Sequence, residues 1–123
     1  MLKRWVQQTV EREGKRLGAI AYIFCSDAHL LSINKAYLHH SYYTDVITFD
    51  YSEGTLLAGD IFISLDTVAL NAKDYGATFD NELHRVMIHG VLHLCGYADA
   101  SDAERDTMRQ KEDNCLAAYP TTC

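Results

Sequence analysis

The residues able to do chemistry crowd into one stretch, HGVLHLCGYAD, residues 89–99. On a helix, histidines spaced i, i+4 project from one face about a turn apart, so His89 and His93 can share a metal ion. Gly96 can adopt the left-handed conformation that ends a helix and reverses the chain, which would return Asp99 over the pair. One buried histidine is usually a structural group. Two at ligand spacing with an acid behind them favour a metal site made of His89, His93 and Asp99. Three protein ligands leave a position for water, the catalytic arrangement for zinc, whereas structural zinc sites close with four ligands, often cysteines. The residue after the first histidine narrows the chemistry. In the H-E-x-x-H peptidases it is the glutamate that serves as general base; here it is Gly90, which transfers no proton, so a peptidase is excluded. A glycine inside a helix costs about 1 kcal/mol relative to alanine, so close approach of a neighbouring backbone or of substrate is expected at Gly90.

Other candidates are weaker. His84 lies five residues before His89, about 140° round the helix, and reads as structural or exposed. His29, His39 and His40 have no ligand spacing to the pair. Cys95 faces away and reads as a core thiol. Asp102 competes with Asp99 for the metal, but it falls in the first turn of the next helix, where an acid already suits the helix dipole. Asp45 and Asp60 stand at strand starts, as carboxylates that orient ligands or simply as strand-end residues.

The elements that must position this site follow from periodicity. Residues 2–13 read as a helix stopped by Gly14. GAIAYIFCS, 18–26, alternates as a largely buried strand, and Ser26 or Asp27 caps a helix with Leu30, Leu31, Ile33, Tyr37 and Leu38 on its apolar stripe. TDVITFDY (44–51) and DIFIS (60–64) are β-branched and aromatic, a hairpin pattern around SEGTLLAG. A helix opens at Asp66 and closes at Gly76. Asp80 is the expected N-cap of a long helix through Leu94, whose Leu83, Val86, Met87, Ile88, Val91, Leu92 and Leu94 point almost all round it, the mark of a central buried helix. Ser101 and Glu104 form the capping box of a last helix that buries Met108, Cys115 and Leu116. The order α-β-α-β-β-α-α-α predicts an α+β fold: one domain over residues 1–123, a small mixed sheet with helices packed on it, and the metal site on the central helix.

Composition bounds the rest. The chain has 123 residues, a formal charge of −6 and four cysteines without C-x-x-C spacing. That predicts reduced thiols (Cys25, Cys95, Cys115, Cys123) and, with no apolar leader or span, a cytoplasmic protein with no membrane association. A DNA-coating protein would carry a basic footprint; no DNA partner is expected. Lys3, Arg4, Arg12, Lys15 and Arg16 form a local basic cluster that reads as a solvated helix face.

The histidine block resembles the signature of the YbeY family, H-G-x-L-H-L-x-G-Y-D-H, matching at His89, Gly90, Leu92, His93, Leu94, Gly96 and Tyr97. NKAYLHHSYYTDVITF is similar to the family's N-x-x-Y/F-R-x-x-x-x-P-T-D-V-L-S-F block at Asn34, Tyr37, Thr44, Asp45, Val46 and Phe49. AGDIFIS resembles its G-D-I strand at Gly59, Asp60 and Ile61, and the Glu104, Met108 and Glu112 spacing is also similar. The resemblance implies a zinc-dependent, single-strand-specific endoribonuclease with one zinc per chain. It implies work in ribosomal RNA maturation, above all at the 3′ end of the small-subunit RNA, and in ribosome quality control, with the small subunit or its proteins as partners. The chain departs from the pattern in three places. Asp99 stands where the family has its last histidine, with Ala98 in place of the aspartate before it. Leu38 replaces an arginine, and Tyr43 replaces a proline. An anionic third ligand makes bound water a weaker acid, and Leu38 removes a cation for phosphate. The alternative is a ribosome-associated zinc-binding protein with little or no catalytic activity.

Overall fold

The computed structural model describes residues 2–37 and 46–119; Leu38, His39, His40, Tyr43, Thr44, Asp45 and Cys123 lie outside them. The elements run α1 (Leu2–Arg12), β1 (Arg16–Cys25), α2 (Asp27–Tyr37), β2 (Val46–Asp50), β3 (Leu56–Ser64), α3 (Leu65–Tyr75), α4 (Phe79–Leu94) and α5 (Asp102–Ala117). This is the α+β order expected. The sheet is mixed: its order is β1-β3-β2, with β1 parallel and β2 antiparallel to β3.

That order corrects one expectation. β1 is an edge strand, and none of its residues is fully buried. Leu17, Ile20 and Tyr22 pack against the core, but Phe24 remains 45% exposed. The buried strand is β3, because it alone has neighbours on both sides, and its Leu57, Gly59, Ile61 and Ile63 alternate inward.

α4 is the central helix. Val86, Met87, Ile88, Gly90, Val91, Leu92 and Leu94 are all buried, packed between the sheet, α1 and α5. Its N-cap is Thr78, whose hydroxyl accepts from the Asn81 amide. Asp80 sits in the first turn instead, where its charge suits the helix dipole. α3 likewise starts one residue before Asp66, capped by Ser64. Both Ser64 and Thr67 donate to Asp27, which joins the start of α2 to the start of α3 and holds the Asp27 carboxyl below the usual aspartate range.

Trp5 of α1 is fully buried, and its indole N–H donates to the Cys115 carbonyl in α5 at 2.8 Å. His84 completes this corner: its ring stacks on Tyr119 with centroids 4.5 Å apart and meets the Trp5 edge. Burial lowers the His84 pKa; of the two readings, structural or exposed, the ring contacts favour the structural one.

Gly90 is explained by a contact that differs from both candidates raised by the sequence. A Cβ there would lie 2.8 Å from Cγ2 of Ile61, a fully buried β-branched side chain in β3. The glycine lets α4 settle onto the sheet. Overpacking of this kind costs about 1–3 kcal/mol, against a gain in helix propensity of about 1 kcal/mol. Gly90→Ala is therefore expected to lower stability by about 1 kcal/mol net in urea unfolding; a variant as stable as wild type would refute this close-packing account.

Candidate metal centre

The site begins where α4 ends. Gly96 has φ 108°, and the Tyr97 amide donates back to the Leu92 carbonyl at 3.1 Å while Gly96 donates to His93. This closing turn sends the chain back across the face that carries the histidines. Asp99 returns with one carboxylate oxygen 3.3 Å from His89 Nε2 and 3.4 Å from His93 Nε2. The two Nε2 atoms lie 2.9 Å apart.

Which atoms carry protons follows from the partners on the far side of each ring. His93 Nδ1 lies 2.9 Å from the Tyr97 carbonyl, which can only accept, so Nδ1 holds the proton. His89 Nδ1 lies 2.5 Å from a carboxylate oxygen of Glu112 and likewise donates. Both Nε2 atoms are left as lone-pair donors facing each other and a carboxylate. Three electron-rich atoms in such a cluster repel unless a proton or a metal cation sits among them. Tetrahedral ligands at about 2.0–2.1 Å stand about 3.3 Å apart; the two carboxylate–imidazole separations match this, and the 2.9 Å between the nitrogens is shorter. His89, His93 and Asp99 thus form a group able to hold a metal ion, and their residues fit it.

Glu112 is what the sequence reading did not assign. It is a glutamate 5% exposed on α5, and its second oxygen takes a 3.0 Å ion pair from Arg85 of α4. Arg85 also binds Asp113 at 2.8 Å and approaches Glu82, itself buried. A carboxylate that fixes a ligand histidine from behind sets its tautomer and raises its basicity. The signal was present: Glu112 falls on the same stripe of α5 as buried Met108 and Cys115, and a charge on an apolar face requires a partner.

The loop carrying Asp99 is tied at two points. Arg105 donates to the Ala100 carbonyl at 2.9 Å and also binds the Asp102 carboxylate. The Tyr97 hydroxyl donates to Glu13 at 2.5 Å, and Lys111 pairs with the same carboxylate at 3.3 Å while lying over the Tyr97 ring. Asp102 is therefore turned to Arg105 and solvent, and of these two aspartates it is Asp99 that reaches the Nε2 atoms of the histidines. Cys95 packs against the core, where burial pushes its thiol up to about 11. Asp60 accepts from the Tyr51 hydroxyl at 3.4 Å, a strand–turn contact. The expected role of Asp45 falls outside the described residues.

Beside the triad runs a cleft of about 350 Å³ between α3, α4 and α5, lined among others by His89, Asp99, Arg105 and Arg109. The His89 and His93 side chains are 19% and 24% exposed, and His89 and Asp99 bring the group to the wall of this cleft.

Comparison with known proteins agrees with this architecture. The family model described as Endoribonuclease YbeY matches residues 1–120. Curated proteins named Endoribonuclease YbeY are similar throughout. One from Bacteroides thetaiotaomicron is 56% identical over 113 residues, covering 92% of this chain and 82% of its own length. One from Flavobacterium psychrophilum is 53% identical over 115 residues, covering 94% and 82%. The solution structure of TM1509 from Thermotoga maritima superposes with a TM-score of 0.65 at 29% identity, covering 94% of this chain and 76% of that one.

Glu112→Gln keeps the shape of the side chain while removing the charge that His89 and Arg85 both use. It is expected to weaken metal binding about 10- to 100-fold, measured by competition with a chelating dye. Unchanged affinity would mean that His89 is oriented by other means.

Proposed function

Because the chain belongs to the YbeY endoribonuclease family, a family of metalloenzymes, we propose that it cuts single-stranded RNA at a zinc ion held by His89, His93 and Asp99, one ion per chain. The observation that carries the reading is the convergence of two Nε2 atoms and one carboxylate oxygen at the mouth of an arginine-lined cleft. In this reading residues 1–123 form one hydrolase domain. Its substrate is ribosomal RNA, above all the 3′ end of the small-subunit RNA, and it serves maturation and quality control of the ribosome.

When bound, zinc supplies Lewis acidity toward a phosphoryl oxygen and a water acidified towards neutrality. The protein's own residues do the rest. Glu112 and the Tyr97 carbonyl hold the protons of His89 and His93 on Nδ1, so that both Nε2 atoms stay available. Arg85 pairs with the other Glu112 oxygen and so holds the carboxylate that orients His89. Gly90 offers no carboxylate beside the ligands, which separates this site from the peptidases. Among the described residues the cations lining the cleft are Arg85, Arg105 and Arg109, and Arg85 is held by Glu112 and Asp113. Arg105 is already committed to the loop carbonyls and Asp102, so it fixes Asp99 more than it meets substrate.

Small-subunit proteins are the favoured protein partners, since a net charge of −6 complements a basic surface. No described helix is long and apolar enough to cross a membrane. A second reading, a ribosome-bound zinc protein with little catalysis, is favoured by Leu38 and by the anionic Asp99, both of which reduce the electrophilic push on phosphate.

Purified protein is expected to carry about one zinc per chain by elemental analysis, lost on His89→Ala or His93→Ala. Asp99→Ala should weaken zinc severely and Asp99→His should retain it; zinc unaffected by Asp99→Ala would remove that residue from the set. Incubation with labelled RNA should give cleavage of single strands with duplexes and peptides spared, stopped by chelation and by His93→Ala. Ribosome binding with no cutting under metal-replete conditions would favour the second reading.

A further inference from the structure

Past the histidines, the cleft is walled by α3 and α5, and there the Arg109 guanidinium lies over the Tyr75 ring, 5.6 Å from its centroid. Tyr75 is 63% exposed, the most of any large apolar side chain among the described residues. Packing does not account for a ring left so largely in water. Arg85 and Arg105 in the same cleft are held by carboxylates; Arg109 rests on an aromatic face instead. A guanidinium stacked in this way keeps its N–H edge free to meet a phosphate. An open aromatic ring beside a backbone cation is how single strands are gripped without regard to sequence, since every base has a face to stack. Duplex bases are already stacked on each other and cannot use such a platform.

Building on the RNA-cleaving reading above, we propose that Tyr75 and Arg109 hold one nucleotide of single-stranded RNA beside the metal centre, its base on the Tyr75 ring and its phosphate on Arg109. Selectivity for single strands then originates on α3 and α5, apart from the metal ligands. The pair acts on substrate affinity, and the chemical step is left to the triad.

The test uses the full-length, metal-loaded chain and a short fluorescein-labelled single-stranded RNA. Anisotropy is read before cutting proceeds, with cleavage rates and thermal melting measured in parallel. Tyr75→Ala is expected to weaken binding about five-fold or more, raising KM with kcat little changed, while Tyr75→Phe binds as wild type. Arg109→Ala should lower the slope of log affinity against log salt by about 0.7, the share of one phosphate contact on a single strand; Arg109→Lys should keep it. If the pair only ties α3 to α5, both alanine variants shift the melting temperature yet bind RNA as tightly as wild type with an unchanged salt slope, and the proposal is overturned. Wild type that binds through these residues but never cuts supports the platform and retires the nuclease reading. Wild type that cuts, with both alanine variants binding normally, overturns the platform alone.

Discussion

A carboxylate placed between two helices, away from water, has to be met by positive or proton-donating groups, and the Glu112 side chain meets two. One oxygen takes the Nδ1 proton of His89 and the other takes Arg85. Removing either partner would leave charge stranded in a poorly solvated place, where the penalty is several kcal/mol. The same contact joins α4 to α5, fixes the tautomer of one histidine and sets the rotation of its ring. The geometry of the candidate centre, the packing of the last helix and the shape of the cleft therefore share one origin.

Around that contact the apolar packing supplies rigidity. α4 lies directly on the sheet because Gly90 lets Ile61 approach, and it is gripped from the other side by Trp5, whose N–H is satisfied by the Cys115 carbonyl. A helix so enclosed cannot rotate without disturbing the core. Both imidazoles are thereby held in register with the loop that Arg105, Glu13 and Lys111 restrain.

Much of this was legible in the sequence because it is local. The i, i+4 histidines, the glycine that ends their helix and the acid three residues on all lie within one turn-and-return, and the all-round apolar pattern of residues 83–94 marked α4 as central. The element order was legible for the same reason. What escaped was non-local. Glu112 meets His89 across 23 residues of sequence, and only its place on an apolar stripe hinted at a partner. The edge position of β1 follows from the parallel pairing of β1 with β3, which alternation within a single strand does not encode. Gly90 was recognised as costly, but its compensation is a side chain on β3 and not a backbone. Thr78 outcompeted Asp80 as N-cap because both residue types serve, and the choice depends on where the preceding turn delivers the chain.

The loop from α4 to Asp99 is short. An ion clasped by residues 89, 93 and 99 would cross-link only this local segment, and so short a loop restricts the unfolded chain less than a long-range tie does. The long-range ties here are instead Trp5 to Cys115 and Glu112 to Arg85. A chain tied in this way would fold first and load such an ion afterwards, the reverse of a zinc finger, in which coordination and folding are a single event. Metal starvation would then produce an idle but intact protein, ready to be refilled, in place of an unfolded one destined for proteolysis.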